Sequence, residues 1–470
     1  MATEQGPKLR TNVIFILTDD QGPWAAGCYG NPEIRTPNID RLAVTGMRFQ
    51  NFFVATPVCS PSRATYMTGR IPSQHGVHDY ISGSRDVPKG WLRGPNTGPG
   101  AIRYLEGQTT YTEVMARNGW TCALSGKWHL GDTQIPHAGF THWLCHQGGG
   151  GPYNNAPLVR DGQLVDEPGY VTDVFTDEAV MLIEKYADAK IPFYLSVHYT
   201  APHSPWTGHP QDIVDSYDDC PFASCPQEPV HPWAANQGLT KGCLGNREML
   251  KGYFAAVTAM DIGVGKIIDK IEARGLRENT LIVFCSDNGF SCGHHGFWGK
   301  GNGTMPRNMF ENSVKVPAVF SHPGVIPQGK VEEAMVSAYD IMPTLLDYVG
   351  LPTPGDIPLP GSSFVPLLRG ENMKERESVV IFDEYGPVRM VRTKEWKYVY
   401  RHAHGPHELY DMVNDPDERR NLVDDPGQAQ RIKELRAVMD EWFTKYVIPE
   451  RDGLRRAGDV MGQSDYIPLR

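Results

Sequence analysis

Four short apolar runs, each ending on polar or charged residues, set the fold this chain can adopt. Asn12–Thr18 (NVIFILT) runs into Asp19-Asp20. Trp120–Ser125 runs into Gly126-Lys127, Pro192–Tyr199 is followed by His203, and Thr280–Cys285 (TLIVFC) leads to Asp287-Asn288-Gly289. Continuous apolar runs of this length read as strands buried on both faces, the mark of a parallel sheet. Helical patterns lie between them at Asn38–Val44, Thr172–Asp188, Arg247–Arg274 and Ser337–Val349, and Thr110-x-x-Glu113 is a capping box. Strand-like Met47–Val54 follows the first of these helices. Ligands of such sheets bind beyond the carboxyl ends of the strands, so Asp19, Lys127, His203 and Asp287 are expected on one rim.

A length of 470 residues suits one large α/β domain and an appendage. Pro and Gly are dense over residues 351–364, which divides the chain into 1–355 and 356–470. Beyond it, Val379–Phe382, Val388–Arg392 and Trp396–Arg401 read as short antiparallel strands, and Gln428–Tyr446 as the last helix. The expected fold is therefore a large, mostly parallel sheet sandwiched by helices, with a small C-terminal α+β subdomain. Cys145–Asn155 and Ser204–Leu244 are expected as loops over the rim, and their aromatic residues (Tyr153, Trp206–His209, His231–Trp233) suit sugar stacking.

The net charge of −10 argues against nonspecific nucleic-acid binding. It repels a polyanion only within about 8–10 Å at physiological salt, so local cations can still win. Met1–Arg10 is polar and the first apolar run is too short for a signal or a membrane span. The chain as written reads as cytoplasmic, or as periplasmic or secreted had a leader been removed. Cys220, Cys225 and Cys243 share one Pro-rich stretch and could pair, though reduced thiols are the favoured reading of nine scattered cysteines.

Cys59-Ser60-Pro61-Ser62-Arg63 reads as a loop entering a helix, with Pro61 as first helical residue. The helix N-terminus, a sulfur and the planar cation of Arg63 would converge there as an oxyanion site. Asp19-Asp20 and Asp287-Asn288 form an oxygen-only donor set that suits Ca²⁺, with Mg²⁺ second. Taken alone, Asp19-Asp20 reads equally as a helix cap or solvated turn. If Gly126–Gly131 is extended, Lys127 and His129 face one side. The prolines around His203 fix its backbone, and its imidazole suits proton donation to a departing alkoxide. His198 reads as structural. His294-His295 could contact substrate or simply pack, and His75 and His78-Asp79 could line the mouth. A transition-metal site from His203, His294 and His295 has no convincing ligand spacing.

Residues 59–70 (CSPSRATYMTGR) resemble the signature of type I sulfatases, of the alkaline phosphatase-like superfamily. Gly126–Gly131 (GKWHLG) resembles a second sulfatase motif, and Glu408–Asp411 with Asp415-Pro416, Glu418 and Asn421-Leu422 a C-terminal one. The resemblance implies conversion of Cys59 to formylglycine by a generating or maturase enzyme. It also implies a metal site of Asp19, Asp20, Cys59, Asp287 and Asn288, a catalytic set of Cys59, Arg63, Lys127, His129, His203 and Lys300, and substrate contacts at Lys127, His203 and Lys300, with His295 as a further candidate. The implied activity is hydrolysis of a sulfate monoester by a formylglycine hydrate; the aromatic loops point to a sulfated carbohydrate as the substrate, and equivalent loops would also accept an aryl sulfate. The same framework serves phosphonate monoester and phosphodiester hydrolases, and an unmodified Cys59 would leave a non-catalytic anion-binding protein.

Overall fold

The computed structural model describes residues 10–81, 97, 101–383, 387–402, 404–456 and 463; most of Met1–Arg10 therefore lies outside the described residues. The strands in chain order are β1 (Asn12–Thr18), β2 (Met47–Phe53), β3 (Thr121–Lys127), β4 (Phe140–His146), β5 (Pro157–Arg160), β6 (Gln163–Asp166), β7 (Phe193–His198) and β8 (Thr280–Ser286). Then come β9 (Ser291–Cys292), β10 (Trp298–Gly299), β11 (Ala318–Ser321), β12 (Lys330–Ser337), β13 (Ser378–Asp383), β14 (Val388–Thr393), β15 (Trp396–Arg401) and β16 (Glu408–Asp411).

Ten strands make the main sheet, in the order β12-β2-β11-β8-β1-β7-β3-β4-β5-β6. The central run from β8 to β4 is parallel throughout, as the apolar runs require. β11 is antiparallel to β2 and β8, and β5 and β6 close the other edge as antiparallel strands. β1 shows how the sheet is sandwiched. Val13, Phe15 and Leu17 pack into one core with Tyr66 and Met67 of the helix Cys59–Thr68. Ile14 and Ile16 pack into the opposite core, against the helices Val171–Ala189 and Arg247–Ala273. Burying each such side chain contributes about 1.5–3 kcal/mol, and the two-residue period of the strand assigns them to opposite layers.

Beyond the irregular 351–364 stretch, Phe364, Leu367 and Leu368 still join the first core. The antiparallel sheet β13-β14-β15-β16 follows. Leu435, Met439 and Phe443 of the helix Ala429–Tyr446 cover it, against Val380, Phe382 and Val391. The Phe382 amide donates to the Ala55 carbonyl (2.9 Å), tying this sheet to the main one. No helix among the described residues is long and apolar enough to cross a membrane, and all nine cysteines are free thiols.

Several elements depart from the sequence expectations. β4 takes in Cys145 and His146, which were expected in a loop. The strand β3 ends at Lys127, and His129 has φ 55°, so the GKWHLG stretch is not extended. Pro61 is the third helical residue, because the helix begins at Cys59. Any first-turn amide lacks an intrahelical acceptor, so proline costs nothing there either. His75 is buried behind the signature helix, with Nε2 against Thr65 Oγ1 (3.3 Å) and Nδ1 accepting from the Val77 amide (3.1 Å). His78 and Asp79 are likewise buried.

Candidate active site

The parallel strands deliver their carboxyl ends to one rim, and backbone hydrogen bonds lock the turns beyond them. The Asp19 amide donates to Ala201 (3.1 Å), Asp287 to Thr18 (3.0 Å) and Gln21 to Asn288 (3.1 Å). Asp20 sits at φ 69°, a left-handed conformation that aspartate tolerates better than most residues. Gly126 has φ 129°, and a Cβ there would lie 1.9 Å from the His198 carbonyl oxygen, so only glycine lets β3 bring Lys127 this close to β7.

Cys59 begins its ten-residue helix, whose first turn has no side-chain cap. Arg63, one turn on, donates from Nε to Asp287 Oδ2 (2.8 Å) and from Nη1 to the Lys127 carbonyl (3.1 Å). Its Nη2 lies 3.9 Å from Asp19 Oδ2 and makes no hydrogen bond among the described residues. Lys127 Nζ donates to Asp19 Oδ2. Lys300 Nζ donates to Asp20 Oδ1 (2.6 Å) and Asn288 Oδ1 (3.2 Å). Asn288 Nδ2 also donates to Asp20 Oδ1 (2.6 Å). His203 Nε2 stands 3.8 Å from Asp20 Oδ2, and its Nδ1 bonds the Ser204 carbonyl (2.8 Å).

Three carboxylates thus face three permanent or near-permanent cations inside a buried volume. Burial would raise Asp19, but Lys127, His203, Lys300 and Arg63 hold it far below the usual carboxylate range. Burial and the neighbouring Asp19 push Asp287 up, to about 7. Lys300 is held above its ordinary value because Asp20 and Cys59 outweigh its burial. Burial pushes the Cys59 thiol up, so the unmodified sulfur is not a ready nucleophile. Burial, Lys127 and Arg63 keep His129 well below the usual imidazole range, hence neutral. Burial and Arg63 put His198 at about 3, and its Nδ1 meets the Lys127 carbonyl (3.2 Å), a structural role.

The donor set fits a hard divalent cation. Ligand atoms of Asp19, Asp20 and His203 lie within 4.8 Å of one another. Asp19 Oδ1 is buried with no hydrogen-bond partner among the described residues, which is costly unless something else satisfies it. The three carboxylates and the Asn288 amide suit calcium or magnesium, with the amide turned to present its oxygen. With Asp287 ionised the three carboxylates balance Arg63, Lys127 and Lys300, so a divalent ion would leave the site net positive, which complements an anionic ester.

The glycine tract 148–151 lies over this site. A Cβ on Gly149 would be 2.3 Å from the His129 ring, on Gly150 3.1 Å from His203, and on Gly151 3.1 Å from His146. His146 was missed by the sequence reading, although its register opposite Lys127 on β3 brings it to the rim. The short apolar run Trp143–Cys145 ending on His146, the same pattern as in the other parallel strands, was the available signal. Burial holds His146 at about 4. His295 lies elsewhere: it stacks on Phe310 (4.0 Å, 9°), and His294 Nε2 bonds the Ser224 carbonyl (2.9 Å). Three of the aromatics expected to stack on sugar are packing residues instead. Trp206 is buried against Phe290 and Trp298, and Tyr153 stacks edge-on with His209 (4.3 Å).

The Sulfatase family model matches residues 11–351, and the model described as N-sulphoglucosamine sulphohydrolase, C-terminal, matches residues 293–445. The chain is similar to an N-acetylglucosamine-6-O-sulfatase of Bacteroides thetaiotaomicron, at 27% identity over 93% of this chain and 87% of that one. It is 30% identical to the N-acetylgalactosamine-6-sulfatase of Canis lupus familiaris, over 78% of this chain and 67% of that one. Among solved structures, one in complex with its substrate D-glucosamine-2-N,6-O-disulfate aligns with a TM-score of 0.78 and 26% identity, over 94% of this chain and 99% of that one. With the parallel sheet and its charged rim, these matches establish that the chain belongs to the sulfatase family and is a sulfuric ester hydrolase.

Proposed function

We propose that the chain hydrolyses sulfate monoesters of a carbohydrate, with Cys59, oxidised to formylglycine by a maturation enzyme, as the nucleophile. Asp19, Asp20, Asp287 and Asn288, joined by residue 59, would hold a divalent cation, calcium in preference to magnesium. The modified residue would supply an activated hydroxyl and the cation would lower its pKa. The remaining work falls to ordinary side chains. Arg63, fixed on Asp287 and the Lys127 carbonyl, is preorganised beside residue 59 and turns a free Nη2 toward the site. Lys127 and Lys300 are poised to take sulfuryl oxygens. The Ser204 carbonyl accepts at His203 Nδ1, so a proton given to the departing alkoxide comes from Nε2. His129, neutral and bonded through Nε2 to the Ile81 carbonyl (3.2 Å), supports residue 59.

One observation carries this reading: buried cations and carboxylates balance in number, yet Asp19 Oδ1 and Arg63 Nη2 are left without hydrogen-bond partners among the described residues. The carbohydrate class rests on the two relatives described above, which are named for hexosamine sulfates. Sulfate release from a panel of sulfated mono- and oligosaccharides tests the activity, and mass analysis of the tryptic peptide Phe49–Arg63 tests the modification. No sulfate release from any sugar by protein carrying formylglycine would refute the carbohydrate reading. Full turnover with an unmodified thiol would refute the nucleophile.

A further inference from the structure

A cavity of about 550 Å³, apart from the site at Asp19 and Lys300, lies between the 228–233 loop, the tip of the β9–β10 hairpin and the C-terminal sheet. Its size is that of a small-ligand site. His231, His295 and His407 line it, with Trp233 and Phe310. Burial holds all three imidazoles below their ordinary pKa, so they are neutral. Two of their tautomers are fixed. His231 Nδ1 accepts from the Trp233 amide (3.1 Å) and His407 Nδ1 from the Arg401 amide (3.2 Å). Each therefore carries its proton on Nε2, as a donor with no partner among the described residues. The ring nitrogens of His295 are likewise uncommitted among those residues.

The charges on the wall are all spent on one another. Glu228 pairs with Arg419 through two bonds (2.5 and 2.7 Å). Glu408 is held by Arg401 (2.8 Å) and Tyr410 (2.9 Å), and Glu418 by Lys397 (2.6 Å) and the Glu311 amide (2.7 Å). What remains free among the described residues is neutral: the imidazole N–H donors, the ring nitrogens of His295 and the half-buried Trp233 ring, which carries the Arg401 guanidinium 4.7 Å from its centroid. That combination suits hydroxyls and C–H faces together, and the guanidinium lining the wall, Arg419, is already paired with Glu228. His295 precedes Lys300 by five residues, so their Cα atoms are at most ~18 Å apart, a few sugar units.

We infer that this cavity binds an uncharged sugar unit of an oligosaccharide whose sulfated unit occupies the site at Asp19 and Lys300. The inference rests on the carbohydrate reading above. Saturation-transfer NMR and titration of the full chain with N-acetylchitotriose, N-acetyllactosamine and agarotetraose test it directly. At least one should bind, and Trp233→Ala and His407→Ala should each weaken it at least fivefold. Val230→Trp, which fills the cavity from an exposed position without removing any packing, should do the same in a protein with an unchanged melting curve. Cys59→Ala should bind these sugars as wild type does while releasing no sulfate. Binding of none of the three, or binding indifferent to all three cavity variants, overturns the inference. Cavity-dependent binding in a protein that desulfates no sugar would instead sink the carbohydrate reading and leave the cavity as a sugar site.

Discussion

Two buried charge clusters in this molecule look alike in composition and differ in closure. In the first, Arg63, Lys127 and Lys300 face Asp19, Asp20 and Asp287. In the second, Lys397 lies between Glu311 and Glu418, with Arg392 alongside. Lys397 has three donors and uses all three, on Met309 O (2.9 Å), Glu418 (2.6 Å) and Glu311 (2.8 Å). Arg392 Nε reaches Glu311 (3.3 Å), and the second oxygen of Glu418 takes the Glu311 amide. The second cluster is complete, whereas among the described residues the first keeps Asp19 Oδ1, Arg63 Nη2 and His129 Nδ1 without hydrogen-bond partners. A saturated cluster is structural, and an unsaturated one with balanced fixed charge is built for a visitor.

The strongest break comes from residue 59. Cys59→Ala should lower sulfate release by at least about 10³-fold, since it removes the proposed attacking group, with little change in melting temperature. Retained turnover in a sulfate-release assay would place the nucleophile elsewhere. Next is the closed cluster: Lys397→Met strands two buried carboxylates and should cost about 3–5 kcal/mol in chemical unfolding. A loss under 1 kcal/mol would show that the second cluster is not what holds its region.

Calcium should stabilise wild type by about 2–3 kcal/mol at a hundred times its Kd, read as a rise in melting temperature. Asp19→Asn should abolish that rise, whereas Lys397→Met should keep it; a rise surviving in Asp19→Asn would move the cation site. Gly149→Ala should cost about 1–3 kcal/mol by forcing a methyl into the His129 ring, and should lower sulfate release as well. A neutral outcome in both would show the tract can move aside.

The smallest effect concerns Glu178, outside both clusters. Burial would raise it, but hydrogen bonds from His142 (2.6 Å) and Arg160 (2.8 Å) hold it below its ordinary value of 4.5. A depressed carboxylate contributes stability above its unfolded pKa and loses it as pH falls through the folded one. The melting difference between wild type and Glu178→Gln should be present at neutral pH and close below about pH 4.5. A difference independent of pH would mean the carboxylate charge is immaterial.

Much of this was legible because continuous apolar runs have few alternatives. β1, β3, β7 and β8 lie where the runs placed them, and the polar residues beyond them converge. β4, β5, β6, β11 and β12 were not read. Edge and antiparallel strands carry mixed residues, and short ones such as Pro157–Arg160 hide among turn signals. Lys127 was found by motif, but the turn at His129 was not, since a single left-handed residue leaves no periodicity to read. Trp206 was misjudged because an aromatic in a Pro-rich loop looks alike whether it faces solvent or a core of other rings. The pairing of Lys397 with Glu311 and Glu418 was invisible, because residues far apart in sequence meet only through folding.

The alternation along β1 carries a last consequence. Inserting or deleting one residue there would swap Val13, Phe15 and Leu17 with Ile14 and Ile16 between layers, and displace the acidic pair by ~3.3 Å. Evolution therefore cannot tune the reach of these carboxylates by sliding the strand. Adjustment to new esters must come from the peripheral loops, while the central axis stays frozen by its own two-sided hydrophobic lock.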